Sequence, residues 1–149
     1  MQQLPKYSER RALDGARVLV VEDEAILAME LESILIDAGA QAVTLCRTVD
    51  DALAAIAKNG VAAAVLDVRV GHEPVGPVAS NLAKRGIPFL FYTGQIGYDP
   101  VLEAWPRSRV ITKPAPARTI IAAVRDLLRK RRLALVGGTQ VPGTRTADG

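Results

Sequence analysis

Short apolar runs alternate along this chain with stretches whose apolar residues recur at helical spacing, and this alternation restricts the folds open to it. The runs lie at 17–21, 42–45, 62–66, 87–92 and 109–112. The first, third and fourth runs are nearly continuous in apolar residues, as strands covered on both faces of a sheet must be. The sequence therefore predicts five strands separated by helices.

The first two predicted helices have recognisable ends. An apolar stripe at helical spacing runs from Leu27 to Ala38, and Gly39 is placed to end that helix. Thr48, followed by Asp51 three residues later, is typical of a helix start, because a threonine hydroxyl accepts a hydrogen bond from a free amide of the first turn.

Three further helices are predicted in the second half of the chain. One covers 76–85 and is closed by Gly86, and a short one opens with Asp99-Pro100, a cap residue followed by a proline in the first turn. The last runs from about 116 to 132. The apolar residues on its predicted buried face are Ile120, Ile121, Val124, Leu127 and Leu128.

Strands that alternate with helices predict an α/β fold, in which a parallel sheet is covered by helices on both faces. Right-handed crossovers leave few topologies, of which the doubly wound, flavodoxin-like strand order 2-1-3-4-5 is common at this length. We expect the domain to span 16–132. The polar, proline-containing residues 1–15 are interpreted as a flexible lead-in and the residues 133–149, rich in Gly and Thr, as a flexible tail.

Composition indicates a cytoplasmic protein with no membrane insertion. No apolar run approaches the roughly 20 residues that span a bilayer, and the first residues lack the apolar core of a secretory signal. The only cysteine, Cys46, cannot form an internal disulfide, so nothing indicates an oxidising compartment.

Polar side chains follow four of the predicted strands directly. In chain order they are Glu22, Asp23, Glu24, Asp67, Thr93 and Lys113. Taken singly, each has an ordinary structural explanation, such as a turn residue, a helix cap or the residue before a helix-starting proline. Because parallel strands end at the same edge of a sheet, their joint occurrence instead predicts a functional site at that edge.

The residue types indicate phosphoryl chemistry at a magnesium site. Converging carboxylates repel one another unless a cation neutralises them, and Mg²⁺ prefers carboxylate oxygens, water and phosphate as ligands. A carboxylate beside Mg²⁺ can attack phosphorus. Phosphoryl transfer otherwise requires mainly positioning and charge stabilisation, which a lysine ammonium and a threonine hydroxyl can provide.

The stretch VLVVEDE, the strand-end Asp67, the Thr93-Gly94 pair and the Lys113-Pro114 pair resemble the receiver domains of two-component response regulators. The resemblance covers roughly 16–132, and the spacing between Asp23 and Asp67 is typical of that family. It implies that Asp67 accepts the phosphoryl group and also contacts Mg²⁺.

The resemblance assigns a role to each remaining site residue. Asp23 would bind Mg²⁺ directly, Glu22 through metal-bound water, and Arg69 through its backbone carbonyl. Thr93 would be the switch hydroxyl. Lys113 would pair with the phosphoryl group, and the Lys113-Pro114 bond is expected to be cis, against a base rate of about 5% for such bonds.

By the same resemblance, the chain is a single-domain response regulator and not a separate enzyme, since it would catalyse only its own phosphorylation and dephosphorylation. The phosphoryl donor would be a sensor histidine kinase or a histidine phosphotransfer protein. The chain would then bind a downstream protein target through the 93–132 face or act as a phosphate sink. No direct nucleic-acid partner is expected.

Two other functions remain open from the sequence. One is a receiver-fold docking module that works without phosphorylation, although the presence of all the site residue types argues against it. The other is a hydrolase or nucleotide binder, which the lack of a glycine-rich phosphate loop after the first strand disfavours.

The sequence also departs from the usual receiver pattern. Val110 occupies the position at which receivers carry an aromatic switch residue. The stretch FYTGQIGY resembles the Phe-Ala-Thr-Gly-hydrophobic-Tyr signature of an atypical subgroup, with Tyr92 in place of alanine and Tyr98 later than expected. That resemblance implies a switch that orders the segment 93–105.

Three features have more than one interpretation. The basic residues of 125–132 are either the solvated last turn of a helix or a contact for nucleic acid or an acidic partner. Trp105 either anchors a partner or caps the core. His72, in the predicted loop after Asp67, is interpreted as incidental.

Overall fold

A computed structural model describes residues 11–94 and 97–140 of the chain, which form a parallel sheet with helices on both faces. The strands of this sheet are β1 (Arg17–Val21), β2 (Ala42–Cys46), β3 (Ala63–Leu66), β6 (Phe89–Thr93) and β7 (Val110–Thr112). Two shorter strands, β4 (Arg69–Val70) and β5 (Glu73–Pro74), form an antiparallel hairpin after β3.

The five-stranded sheet has the order β2-β1-β3-β6-β7, and its neighbouring strands are all parallel. Counted without the β4–β5 hairpin, this is the predicted order 2-1-3-4-5, so the α/β fold class is confirmed. The chain leaves β1 in one direction to form β2 and returns on the other side of β1 to form β3. The carboxyl ends of β1 and β3 therefore flank the point where doubly wound sheets bind ligands.

Within the described residues, five helices cover the sheet: α1 (Ala25–Asp37), α2 (Val49–Ala57), α3 (Gly76–Lys84), α4 (Pro100–Ala104) and α5 (Ala117–Gln140). Leu19 and Val21 of β1 belong to the core layer that contains α2, α3 and α4. Val18 and Val20 belong to the layer that contains α1 and α5. The alternation follows from the two-residue period of a strand, and it explains why the apolar runs are continuous.

The predicted start of α2 is confirmed. The hydroxyl of Thr48 accepts a hydrogen bond of 3.0 Å from the backbone N–H of Asp51, which would otherwise have no partner in the first helical turn.

Replacing Thr48 by Ala is expected to lower the free energy of unfolding by about 1 kcal/mol, because the Asp51 amide loses its acceptor. Urea denaturation followed by circular dichroism measures the difference. Thr48→Ser, which keeps the hydroxyl, should be close to the wild type; equal stability of all three proteins would contradict the capping role.

Two predicted boundaries are wrong. The last helix does not end near 132 but continues to Gln140, so the predicted tail is helical over its first part. The lead-in is docked over 11–15: Leu13 is only 1% exposed, and its backbone N–H donates to the carbonyl of Ala38 at 3.0 Å. Residues 1–10 and 141–149 lie outside the described residues. Within the described ranges, no helix combines the length and the apolar character needed to cross a membrane.

Candidate functional site

Three carboxylates meet where β1 and β3 end. These strands are paired in parallel with Val21 opposite Leu66, so the residues that follow them leave the sheet side by side. Carboxylate oxygens of Glu22, Asp23 and Asp67 all lie within 4.8 Å of one another. The sheet topology thus brings together the acidic residues that the sequence placed at the two strand ends.

Lys113 directly follows the edge strand β7, and its side chain reaches this cluster. Its Nζ donates to Asp67 Oδ2 and to Glu22 Oε1, at 2.8 Å in both cases. Glu24, which is mostly exposed, lies farther away, with Oε1 at 3.8 Å from the ammonium. The backbone of Lys113 is fixed to the end of β6, since its N–H donates to the carbonyl of Thr93 at 3.0 Å. The Lys113-Pro114 bond is cis, as predicted.

Burial and hydrogen bonding together shift the pKa values of Glu22 and Lys113. Burial raises the pKa of Glu22, which is only 2% exposed, and this effect exceeds the lowering by its hydrogen bonds to Lys113 and to the Glu24 amide. Burial by itself would lower the pKa of Lys113. Its hydrogen bonds to Asp67 and Glu22 outweigh that effect, so the pKa is raised and Lys113 remains an ammonium at neutral pH.

The loop after β3 folds back over the acidic cluster. The backbone N–H of Gly71 donates to Asp23 Oδ2 at 2.9 Å, and the N–H of Val68 donates to Asp67 Oδ1 at 2.7 Å. Gly71 and His72 have φ angles of 58° and 70°, a left-handed turn that reverses the chain in the β4–β5 hairpin. His72 is exposed in this hairpin and takes no part in the carboxylate–lysine cluster.

The donor set fits Mg²⁺. The three side chains offer only carboxylate oxygens, the ligands that this hard cation prefers. Each carboxylate has about four lone-pair directions, and the hydrogen bonds described above use only some of them. Three negative charges face one ammonium, so a dication would balance the charge of the cluster.

Thr93 and Arg69 occupy different positions relative to this cluster. Thr93 is buried at the carboxyl end of β6, opposite Thr112, and thus lies at the same edge of the sheet. Arg69 is the first residue of β4, and its side-chain Nε donates to Asp99.

Sequence reasoning missed the contact between Arg69 and Asp99. Asp99 was predicted only as a helix cap, and its Oδ1 does accept from the N–H of Val101 at 2.8 Å. Its Oδ2 in addition accepts from Arg69 Nε at 3.2 Å, and the Asp99 side chain is 2% exposed. The ion pair connects the loop beside Asp67 to the start of α4. No local pattern signals it, because the two residues meet only in the folded chain.

Replacing Asp99 by Asn is expected to lower the free energy of unfolding by about 1.5 kcal/mol, since the helix cap is retained but the charged hydrogen bond to Arg69 is lost. Urea denaturation measures the loss, and amide hydrogen exchange should show faster opening of α4. Asp99→Ala, which also removes the cap, should be less stable still. If amide hydrogen exchange in α4 is the same in Asp99→Asn as in the wild type, the ion pair does not have this role.

Two aromatic residues have structural roles. Tyr92 is buried, and its hydroxyl accepts from the N–H of Ala115 at 3.2 Å, while its ring centroid lies 5.9 Å from Lys113 Nζ. Trp105 packs edge-to-face on Phe89 with ring centroids 5.3 Å apart, which supports its role as a cap on the core. Val110, at the usual switch position, is 44% exposed on β7.

Several solved structures similar to this chain are receiver proteins. SdrG from Sphingomonas melonis Fr1 is 36% identical; the match covers 76% of this chain and 96% of that one, with a TM-score of 0.62. The BeF3-activated conformation of SdrG from Pseudomonas melonis Fr1 is 37% identical, with 75% and 95% covered and a TM-score of 0.63. A response regulator receiver protein from Sinorhizobium medicae WSM419 is 28% identical, with 80% and 98% covered and a TM-score of 0.68. Neither a family model nor a curated protein matches the sequence.

Proposed function

The chain belongs to the response regulator receiver domains of two-component systems, and from this premise we propose that it is a signalling protein phosphorylated on Asp67 in a Mg²⁺-dependent reaction. The observation that carries the proposal is the position of the Asp67 carboxylate. It is hydrogen-bonded to Lys113 and lies beside Glu22 and Asp23 at the ligand-binding edge of the sheet.

In the proposed reaction, a carboxylate oxygen of Asp67 attacks the phosphorus of a phosphohistidine. The new O–P bond forms as the N–P bond breaks, and the electron pair of that bond returns to the imidazole of the donor. When bound, Mg²⁺ would offset the negative charge that builds up on the phosphoryl oxygens. Asp23, Asp67, the backbone carbonyl of Arg69 and, through water, Glu22 would hold the ion.

Lys113 and Thr93 would then recognise the phosphorylated state. The ammonium of Lys113 already lies 2.8 Å from Asp67, so it is placed to pair with a phosphoryl oxygen on that residue. The hydroxyl of Thr93 would bind another phosphoryl oxygen. Thr93 directly precedes the segment up to 105, so its movement would rearrange the surface around α4, in keeping with the proposed membership of the Phe-Ala-Thr-Gly subgroup.

The proposed donor is a sensor histidine kinase or a histidine phosphotransfer protein, and the proposed result is binding of a protein target or removal of phosphate from a shared kinase. The BeF3-activated conformation of SdrG supports phosphorylation as the trigger, because beryllofluoride has the tetrahedral shape and charge of a phosphoryl group. The relative therefore has a state that responds to such a group.

Intact-mass measurement after incubation with acetyl phosphate tests the proposal. The wild type should gain one phosphoryl group with Mg²⁺ and none with EDTA. Asp23→Asn should need a higher Mg²⁺ concentration for the same extent of reaction, because a proposed ligand has lost its charge. No added mass under any condition would overturn the proposal and favour a docking module that works without phosphorylation.

A further inference from the structure

A basic trough lies at the opposite end of the sheet from the acidic cluster. It has a volume of about 650 Å³ and lies between the α3–β6 connection, the α4–β7 connection and the middle of α5, from Ala123 to Ala134. Phe89 is the first residue of β6 and Arg109 directly precedes β7, so the trough is at the amino ends of these strands. It is therefore separate from the site proposed for phosphorylation.

Five cationic side chains line this trough. They are Arg107, Arg109, Arg129, Lys130 and Arg131. The lining includes a single carboxylate, Asp126, which lies 3.7 Å from Arg109 and 4.0 Å from Arg125. Within the described ranges, the other four cations of the lining have no carboxylate within ion-pair distance. The trough thus has an excess of positive charge.

The partly buried guanidinium of Arg131 also lacks hydrogen-bond partners for some of its N–H groups. Arg131 donates one long hydrogen bond, 3.5 Å, from Nη1 to the carbonyl of Val61. Its Nε is buried and has no hydrogen-bond partner among the described residues. A guanidinium has five N–H donors in a planar fork that matches a carboxylate or phosphate, and the contact with Val61 uses only one of them, so an anionic ligand would pair with the terminal N–H groups of Arg131 and not with the buried Nε.

The lining of the same trough also includes apolar side chains. Ile87, Phe89, Trp105 and Leu127 contribute to the lining, and Trp105 is only partly buried by its contact with Phe89. Apolar surface flanked by cations is complementary to a ligand that has apolar groups and negative charges close together.

We propose that the trough binds an acidic segment of a partner protein that also carries apolar side chains. Small-molecule sites enclose most of their ligand, whereas this trough is largely open to solvent. Duplex nucleic acid presents only polar phosphates on its convex surface, and a flat bilayer would not reach the base of a concave trough. A peptide segment supplies both carboxylates for the cations and apolar side chains for Trp105 and Leu127.

The position of Trp105 gives a direct readout, because it is the only tryptophan of the chain and lines the trough. The probe is a synthetic amphipathic peptide of Glu and Leu residues, titrated at low ionic strength. A saturable change in Trp105 fluorescence is expected, and added salt should weaken it. The Asp67-dependent reaction is not needed for this binding, so the result is independent of the proposed phosphorylation.

A pair of charge-reversal variants locates the binding. Arg129→Glu/Lys130→Glu reverses two exposed charges of the trough and should weaken peptide binding about tenfold or more. Lys58→Glu/Arg118→Glu makes the same change in net charge at exposed positions outside the trough and should bind like the wild type.

Four outcomes would overturn the proposal. The first is the absence of a saturable fluorescence change, and the second is equally weakened peptide binding in both double variants. The third is binding as tight as that of the Glu/Leu peptide by a peptide with Lys in place of Glu, or by polyglutamate without Leu. The fourth is tighter binding of a DNA duplex or of anionic lipid vesicles. The first two would remove the site, and the others would assign the trough to a different class of ligand.

Discussion

Replacing Asp67 by Asn is expected to abolish Mg²⁺-dependent addition of a phosphoryl group, measured as intact mass after incubation with acetyl phosphate. An amide oxygen has nearly the shape of a carboxylate oxygen but lacks the negative charge that makes it a nucleophile towards phosphorus. The fold should persist, because Asp67 follows β3 at the sheet edge and is not part of the apolar core. The loss should therefore be complete without loss of the folded state.

A matched control separates this effect from the general removal of a carboxylate. Asp37→Asn changes an exposed aspartate at the end of α1, and this variant should be phosphorylated like the wild type. Addition of a phosphoryl group to Asp67→Asn at the wild-type rate would show that another residue is the acceptor. Circular dichroism of both variants verifies that each is folded before the mass is measured.

Replacing Lys113 by Met should lower the free energy of unfolding by about 3 kcal/mol in the presence of EDTA, because the ammonium that neutralises a largely buried cluster is removed. Lys113 is 15% exposed and its partner Glu22 is 2% exposed, so the contact is poorly screened by solvent. Methionine keeps the length and the apolar stem of lysine. The expected loss is therefore due mainly to uncompensated carboxylates and not to a cavity.

Magnesium should restore much of this stability. If the dication binds among Glu22, Asp23 and Asp67, it neutralises the same charges and stabilises the folded state by an amount that grows with the logarithm of its concentration once this exceeds its dissociation constant. Urea denaturation with Mg²⁺ and with EDTA measures both effects. Lys58→Met, at an exposed position, should match the wild type in both solutions. Equal stability of Lys113→Met and the wild type in EDTA would show that the ammonium does not stabilise the cluster.

The sequence predicted the sheet well because its central strands, β1, β3 and β6, are buried on both faces. The run at 17–21 is β1 to the residue, and the runs at 42–45 and 109–112 differ from β2 and β7 by one residue. A continuous apolar run bounded by polar residues specifies such a strand without information from the rest of the chain. The order of the strands followed from the handedness of crossovers.

The sequence was less informative about the ends of the domain. Residues 133–140 show no apolar periodicity, yet they continue α5, since extending a helix that is already formed avoids the cost of nucleation. Leu13 is a single apolar residue in a polar segment, so periodicity gives no signal for it. Its burial depends on the hydrogen bonds that dock 11–15 on the end of α1.

The sequence by itself determined that Glu22, Asp23, Asp67, Thr93 and Lys113 lie at one edge of the sheet, because each lies at or just after the carboxyl end of a strand and parallel strands end together. The tertiary structure alone decided which groups pair there and elsewhere. In the folded chain Arg69 donates to Asp99, and the Ala115 amide donates to Tyr92. The cations of α5 line the same trough as those of the α4–β7 connection. The physical reason is that hydrophobic periodicity encodes the face that each element buries, whereas contacts between distant polar groups depend on the packed positions of the elements.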